Sequence, residues 1–429
     1  MHNLDLSISD ISKIEGKASC TIKVRKGKVE DLKFIIAEYK RFYTQAIQGK
    51  DIIALPSLTS RICGTCSNAH LLCAIAAIEN ALGIIPSGQT TQLRKLVNFG
   101  LNIRDHALHL YVFALPDILE IDNILELDEN IPEQHQLLDD VFTVKAAGNM
   151  LSKTIGGRSV HAPFPTIGGF TKLPDAKVFP DLITQLEKAR PAVLRLIHIF
   201  QDSKFRLEND FKYIALIDRD YSFLDGELLT SDDQTIKKGD LDKYLHQVII
   251  PYSYASGYMF SGQLYMVGAL ARMNLAKERL HPKTKECAAR ALSNFPSINI
   301  FHNNLAQAIE ILHAIDSSVD ILKNLTITEE KLIPVVRKAG VGIGVIEAPR
   351  GILFYKLNID INGKIENGKI VVPTGQNQIG IENCLKKYLE TNISQLNTKK
   401  EIEQNIERVV RAFDPCMSCA SHFLKIKWI

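Results

Sequence analysis

The chain has 429 residues, of which 46% are hydrophobic and 23% are charged, values that are ordinary for a globular protein. Its formal net charge of +3 is too small to predict a nucleic-acid or membrane-surface partner. No stretch offers the ~18 uncharged apolar residues of a membrane span, and the N-terminus lacks the basic and then apolar regions of a secretory signal. We therefore expect a cytoplasmic protein, or one that is exported folded on a signal-bearing partner.

The first predicted elements are strands, and those that follow are helices. Residues 1–40 alternate apolar and polar side chains, and Lys26-Gly27 supplies a turn, which predicts a β-hairpin. From Leu71 onward, apolar residues recur at helical spacing and cover several faces, so these helices are expected to be buried. The predicted helices cover residues 71–84, 90–115, 175–205, 303–325 and 398–413.

Smaller β elements are predicted in the second half of the chain. Residues 213–245 indicate short surface strands, and residues 350–374 indicate a hairpin with turn residues Asn362-Gly363 and Asn367-Gly368. No repeat, low-complexity tract or linker divides the chain. The sequence therefore predicts one α+β domain over residues 1–429, predominantly α, with a helical-bundle core, an N-terminal β-hairpin and small β additions.

Two Cys-x-x-Cys pairs lie near opposite ends of the chain, and a histidine follows each. Cys63 and Cys66 precede His70, and Cys416 and Cys419 precede His422. Two intervening residues let both sulfurs of a pair face one metal, and a helix N-terminus favours the thiolate that binds it.

The dipeptide before the second pair predicts where a helix begins. Asp414-Pro415 predicts a helix start with the aspartate as N-cap. Four thiolates suit a structural zinc site, and an iron–sulfur cluster uses the same ligand count. A thiol–disulfide motif requires a single pair on a thioredoxin-like unit, which the sequence does not indicate. We expect the other cysteines to be structural: Cys20 in a strand, Cys73 on an apolar helix, and Cys287 and Cys384 on charged helix faces.

The residues that flank the pairs favour one family. "RICGTCSNAH" fits Arg-x-Cys-Gly-x-Cys-x-x-x-His, and "DPCMSCASH" fits Asp-Pro-Cys-x-x-Cys-x-x-His. Together they resemble the two signatures of the large, catalytic subunit of nickel–iron hydrogenases. "KIEG", "GGRSVH", "EAPRG" and "VVPT" also recur in that family at these relative places, so the resemblance covers nearly the whole chain. The chain looks most like the soluble cytoplasmic branch of bidirectional NAD(P)-linked hydrogenases and sulfhydrogenases.

The resemblance implies a reaction and a ligand set. The reaction is the reversible heterolytic cleavage of H2 to protons and electrons. Cys63, Cys66, Cys416 and Cys419 would bind nickel, and Cys66 and Cys419 would also bridge to an iron that carries carbon monoxide and cyanide. Soft thiolates suit both metals. Glu15 of "KIEG" would carry protons, a task that requires a carboxylate whose pKa is raised towards neutrality.

The resemblance also assigns supporting residues. Arg350 of "EAPRG" would lie over the open face of the metals, where Asp105 and Asp414 would neutralise and position it. Pro349 and Thr374 would line a pocket for the diatomic ligands, with the Thr374 hydroxyl donating to cyanide. For His70, the resemblance implies a hydrogen bond to a bridging thiolate. His106 and His109, at helical spacing on an apolar stretch, are expected to be structural.

The C-terminus of the family implies processing and a further cation. His422 would bind magnesium, although this chain has Thr44 and Gln45 about where most relatives place a glutamate, and Glu38 lies nearby. The tail Phe423–Ile429 resembles an assembly peptide that is cut off at the His422-Phe423 bond.

The resemblance implies partners as well. The chain has no further cysteine set for an electron relay, so electrons would leave through an iron–sulfur small subunit. The other implied partners are electron-transfer subunits that use NAD(P) or another carrier, a maturation chaperone and a C-terminal endopeptidase. A competing hypothesis is a non-catalytic scaffold, since the quinone-site subunit of complex I shares this fold without the cysteines.

Overall fold

The computed structural model describes residues 3–39, 42–392 and 398–421. The strands are β1 Leu4–Ile8, β2 Ala18–Arg25, β3 Lys28–Ile36, β4 Pro165–Thr166, β5 Gly169–Phe170, β6 Lys212–Ile217, β7 Glu227–Thr230, β8 Thr235–Ile236, β9 Leu245–Val248, β10 Gly257–Phe260, β11 Tyr265–Met266, β12 Gly340–Ala348, β13 Gly351–Ile359 and β14 Ile365–Val371. The α-helices are α1 Tyr43–Ala46, α2 Leu55–Thr59, α3 Ser67–Leu82, α4 Gly88–Ala107, α5 Leu115–Leu119, α6 Pro132–Gly156, α7 Phe179–Gln201, α8 Leu241–Tyr244, α9 Ala269–Ala276, α10 Pro282–Cys287, α11 Ala289–Leu292, α12 His302–Asn324, α13 Pro373–Asn392, α14 Lys399–Ala412 and α15 Met417–Ala420.

The N-terminal hairpin is confirmed, and a third strand joins it. The strands β1, β2 and β3 form an antiparallel sheet in that order. Lys26 and Gly27, which join β2 to β3, both have positive φ, at 54° and 76°. Such a turn matches the twist of the flanking strands and suits the glycine in its second position.

The predicted long helices form the core. The helices α4, α6, α7 and α12 pack against one another, and α12 is buried along nearly all of its length. A helix with apolar residues on every face is typical of a protein interior. None of the helices among the described residues is long and apolar enough to cross a membrane.

A second antiparallel sheet, with the order β12-β13-β14, packs against α3. The contact is close, since a Cβ added at Gly344 would lie 2.3 Å from the carbonyl oxygen of Cys73. Only glycine allows that approach. The β12–β13 turn carries Pro349 and Arg350, so the packing places this turn beside the start of α3.

Two sequence predictions about the fold require correction, and three elements were missed. Asn362-Gly363 is a turn, as expected, but Asn367-Gly368 lies inside β14, where Gly368 pairs with Leu357. Cys384 is buried rather than on a charged face. The helices α6 and α13 and the strand β12 were not predicted. In α13 the buried face includes Gln376, Asn377 and Gln378. Because these buried residues are polar, the spacing of apolar residues does not mark this helix in the sequence.

Candidate metal centre

The first cysteine pair lies where a turn enters α3. A 3-10 turn over Ser60–Ile62 leads into Cys63, whose backbone is extended. Cys66 occupies the N-cap of α3, so both sulfurs lie at the N-terminal end of a sixteen-residue helix. The unsatisfied N–H groups there carry partial positive charge, which stabilises a thiolate.

The second pair lies at the start of the short helix α15, where Cys416 is the N-cap. The prediction that Asp414 caps this helix is wrong. Asp414 has a positive φ of 48°, and its carboxylate accepts from Arg350 and Gln307 instead. The backbone N–H of Cys416 is satisfied by Thr374, whose Oγ1 lies 2.9 Å away.

The four cysteines converge, as predicted. Sγ–Sγ distances are 3.4 Å between Cys63 and Cys416, 2.8 Å between Cys66 and Cys419, and 3.2 Å between Cys416 and Cys419. All four sulfurs lie within 4.8 Å of one another, and all four residues are buried. The site thus joins residues that are more than 350 positions apart in the chain.

This donor set fits soft transition metals. Two thiolates bonded to one metal at ~2.3 Å lie no more than about 4.6 Å apart, close to the spacing found here. Hydrogen bonds from Cys416 and Cys419 lower the pKa of the Cys63 thiol, which makes it easier to deprotonate than an ordinary cysteine. Burial raises the pKa of Cys416 and Cys419, so those thiols deprotonate when a metal replaces the proton.

Glu15 lies against the second pair. Its backbone carbonyl accepts from Met417 N at 3.0 Å. Its carboxylate Oε2 accepts from Ser418 N at 3.0 Å and lies 3.1 Å from Cys416 Sγ. Burial, followed by the nearby charge of Cys63, raises the pKa of Glu15. The carboxyl group therefore touches a predicted metal ligand and binds a proton more readily than an exposed glutamate does.

Arg350 is fixed between the two predicted aspartates. Its Nη1 donates to Asp105 Oδ2 at 2.8 Å, and its Nη2 and Nε donate to Asp414 Oδ1 and to the Asp414 carbonyl at 2.9 and 2.7 Å. Burial by itself lowers the pKa of Arg350, but the two carboxylates outweigh it and raise the pKa. The guanidinium is therefore charged and held in one orientation.

A small cavity lies between Arg350 and the cysteines. Its volume is about 10 Å³, and Pro349, Thr374, Cys66 and Cys419 contribute to its lining. His70 also borders it, with Nε2 at 3.5 Å from Cys419 Sγ and Nδ1 at 2.8 Å from the hydroxyl of Tyr355. Every residue that the sequence placed near the metals, apart from His422, thus lies around one point.

Sequence reasoning missed several supporting side chains. Gln307 of α12 donates to Asp414 at 2.9 Å and lies 2.6 Å from His109, so that histidine joins the polar network behind Arg350. Arg104 donates to the Thr65 carbonyl between the first two cysteines. No sequence spacing marks Gln307, whereas Arg104 adjoins Asp105 and could have been considered with it.

The predicted magnesium site is untested. His422 and the tail Phe423–Ile429 lie outside the described residues. The hydroxyl of Ser421 donates to the Glu38 carbonyl at 2.8 Å, which brings the chain before His422 to the Glu38 segment. Glu38 itself accepts from the backbone N–H of Lys17.

Comparison with known proteins agrees with this geometry. The profile of the nickel-dependent hydrogenase family matches residues 41–153 and 230–422. Sulfhydrogenase 2 subunit alpha of Pyrococcus furiosus is 30% identical over 426 residues, which cover 98% of this chain and 100% of the relative. Sulfhydrogenase 1 subunit alpha of the same organism is 29% identical over 430 residues, or 99% of each chain.

Solved structures share the fold. A crystal structure of an NAD+-reducing [NiFe]-hydrogenase in the H2-reduced state superposes with a TM-score of 0.87 at 23% identity, covering 98% of this chain and 99% of the other. The [NiFeSe]-hydrogenase of Desulfomicrobium baculatum gives a TM-score of 0.77 at 20% identity, with 98% and 100% covered. With four converging cysteines and a family profile that spans most of its length, this chain belongs to the nickel-dependent hydrogenase family as a large, catalytic subunit.

Proposed function

We propose that the chain catalyses reversible heterolytic cleavage of H2 at a nickel–iron centre held by Cys63, Cys66, Cys416 and Cys419. The observation that carries the proposal is the convergence of these sulfurs beside a carboxyl group and a fixed guanidinium. When bound, the nickel–iron centre supplies the heterolytic cleavage itself. The protein holds the metals, excludes water and moves the proton.

Cys66 and Cys419 are the proposed bridging ligands. One feature supports this assignment: their sulfurs are 2.8 Å apart, closer than the sulfurs of Cys63 and Cys416 at 3.4 Å, and both border the small cavity, as Cys416 also does. The wall beside these two cysteines includes the apolar Leu353 and Pro349, a lining whose chemistry suits an iron that carries carbon monoxide and cyanide. The Thr374 oxygen accepts from Cys416, which leaves its hydroxyl hydrogen to donate to cyanide.

The proton leaves through Glu15 in this proposal. The Glu15 carboxylate lies beside Cys416, and its raised pKa makes it accept a proton more readily than an ordinary glutamate, so that it can pass the proton on. Arg350, fixed by Asp105 and Asp414, orients or polarises the substrate at the cavity. His70 contacts Cys419 Sγ through Nε2, and its Nδ1 is hydrogen-bonded to the Tyr355 hydroxyl, which fixes the orientation of the ring. In this proposal the histidine thereby adjusts the basicity of the Cys419 thiolate.

Metal analysis and infrared spectroscopy test the centre. We expect nickel and iron in the purified complex, infrared bands from iron-bound carbon monoxide and cyanide, and exchange of D2 with water protons. Zinc in place of nickel would indicate a structural site. A folded subunit without stoichiometric metal would indicate the non-catalytic scaffold.

The electron path requires other subunits. The relatives are alpha subunits of multi-subunit hydrogenases, so a small subunit is the expected partner. We propose that it carries iron–sulfur clusters, that further subunits use NAD(P) or another carrier, and that the complex is cytoplasmic. The last proposal is supported by the cysteines, all of which are free thiols.

Maturation is proposed to involve a chaperone and an endopeptidase that cuts the His422-Phe423 bond. The second pair must stay accessible during metal loading, after which the new C-terminus closes the site and His422 binds magnesium. Trp428 is the single tryptophan and lies in the tail. The mature subunit should end at His422 by intact mass and show no tryptophan fluorescence. An active, nickel-loaded subunit that retains Trp428 would contradict this proposal.

A further inference from the structure

A buried arginine lies behind the turn that presents Arg350. Arg272 of α9 is 0% exposed. Its Nε and Nη2 donate to the two carboxylate oxygens of Glu310, each at 2.7 Å, and its Nη1 donates to Glu347 Oε2 at 2.6 Å. One guanidinium thus ties together α9, α12 and β12.

The same guanidinium reaches the backbone of the turn. Its Nη1 donates to the Ala348 carbonyl at 3.2 Å, and its Nη2 donates to the Pro349 carbonyl at 2.9 Å. These two residues immediately precede Arg350. All five N–H donors of Arg272 therefore have an acceptor. Lysine has only three donors and no planar fork, so it cannot reproduce the set.

The acceptors are themselves held in place. Glu310 also accepts from the Tyr221 hydroxyl at 2.8 Å and lies 3.0 Å from Nε2 of His106, the residue after Asp105. Burial by itself raises the pKa of Glu310, but the charge and hydrogen bonds of Arg272 outweigh it and lower the pKa to about 2. Arg272 therefore has an ionised partner at neutral pH, in a network with few alternative arrangements.

We propose that Arg272 is a positioning residue for hydrogen turnover: it fixes the Ala348 and Pro349 backbone and thereby holds the Arg350 guanidinium at the cavity beside the cysteines. It acts through Arg350 and touches no reacting atom. The inference rests on the proposed function of Arg350. Misplacing a catalytic group by ~1 Å costs about a hundredfold in rate, so the anchor has a measurable consequence.

The first test compares two lysine variants in the assembled, metal-loaded complex. Arg272→Lys should lower turnover per nickel by about tenfold to a hundredfold. Arg94→Lys is the matched control, because Arg94 is also buried, binds Glu79 through two bonds of 2.8 and 2.6 Å and donates to a carbonyl, that of Thr166. The control should keep turnover within about twofold, because these hydrogen bonds of Arg94 go to Glu79 and Thr166 and not to the β12–β13 turn.

The second test asks whether Arg272 acts through Arg350. If it does, adding Arg272→Lys to Arg350→Lys should lower turnover little further. In the metal-free full chain, Arg272→Lys should speed amide exchange at residues 350–351 at least threefold and leave α3 unchanged. The proposal would be overturned if the double variant lost turnover by the product of the two single losses. It would also be overturned if Arg272→Lys left amide exchange at residues 350–351 unchanged.

The outcomes separate the two proposals. If Arg350→Lys impairs turnover and Arg272→Lys in the nickel-loaded enzyme does not, the positioning role is wrong and the function of Arg350 stands. If Arg350→Lys has normal turnover, the function proposed for Arg350 fails, and this inference fails with it. Should Arg272→Lys not fold, Glu347→Gln replaces the carboxyl group that accepts from Nη1 of Arg272, and normal turnover in that variant overturns the inference.

Discussion

The two cysteine pairs have the same spacing but are held by different means. The first pair opens the sixteen-residue helix α3, which packs along the sheet of β12 and β13. The second opens the four-residue α15, whose position depends on contacts with Glu15, Thr374 and Tyr43 from distant parts of the chain. One half of the metal centre is thus built by a local element, and the other is assembled by tertiary contacts.

Loss of one ligand from either pair should have the largest effect. We expect Cys66→Ser and Cys419→Ser each to remove nickel and iron and to abolish turnover, because both thiolates are proposed to bridge the metals. Metal content of the purified subunit measures this. Retention of nickel and turnover in either variant would contradict the four-cysteine centre.

Glu15→Gln should separate chemistry from assembly. Glutamine keeps the shape and can still accept from Ser418 N, but it has no titratable proton. We expect normal nickel content and infrared bands with turnover lowered at least about a hundredfold. Near-normal turnover would remove Glu15 from the mechanism and leave it a purely structural contact of the second pair.

Metal removal should loosen the second pair more than the first. In the metal-free protein we expect amides of residues 417–421 to exchange at least about tenfold faster than those of residues 70–80, because a four-residue helix has few internal hydrogen bonds. Metal loading should slow exchange mainly at the second pair. Equal protection of both segments without metal would show that the tertiary contacts alone hold α15.

Single hydroxyl deletions should give the smallest effect. Thr374→Val leaves Cys416 N unsatisfied and should lower the free energy of unfolding by about 1–3 kcal/mol, with less nickel retained after chelator challenge. Ser67→Ala is the control at the first pair, since Ser67 accepts from His161 N at 3.0 Å. It should lose similar stability without losing nickel. Equal nickel loss in both variants would argue that the pairs do not differ.

Much of the fold and of the site was accessible from the sequence. Helical spacing located α4, α7, α12 and α14 because apolar residues recur along them about every three to four positions, even where buried polar residues lie between them. The four cysteines and Glu15, Arg350 and Thr374 were found through their motifs. The helix α13 was missed because its buried side chains include amides, which bond within the core and do not follow a hydrophobic pattern.

By itself, the sequence determined which residues can bind the metals, because ligand chemistry and Cys-x-x-Cys spacing are local properties. Two roles were expected of Asp414 from the sequence, capping a helix and positioning Arg350, and only the tertiary structure decided between them. It alone also brought Gln307 and Arg272 behind that arginine. These contacts join residues tens to hundreds of positions apart, and which partner a buried polar group finds depends on how the helices and sheets pack.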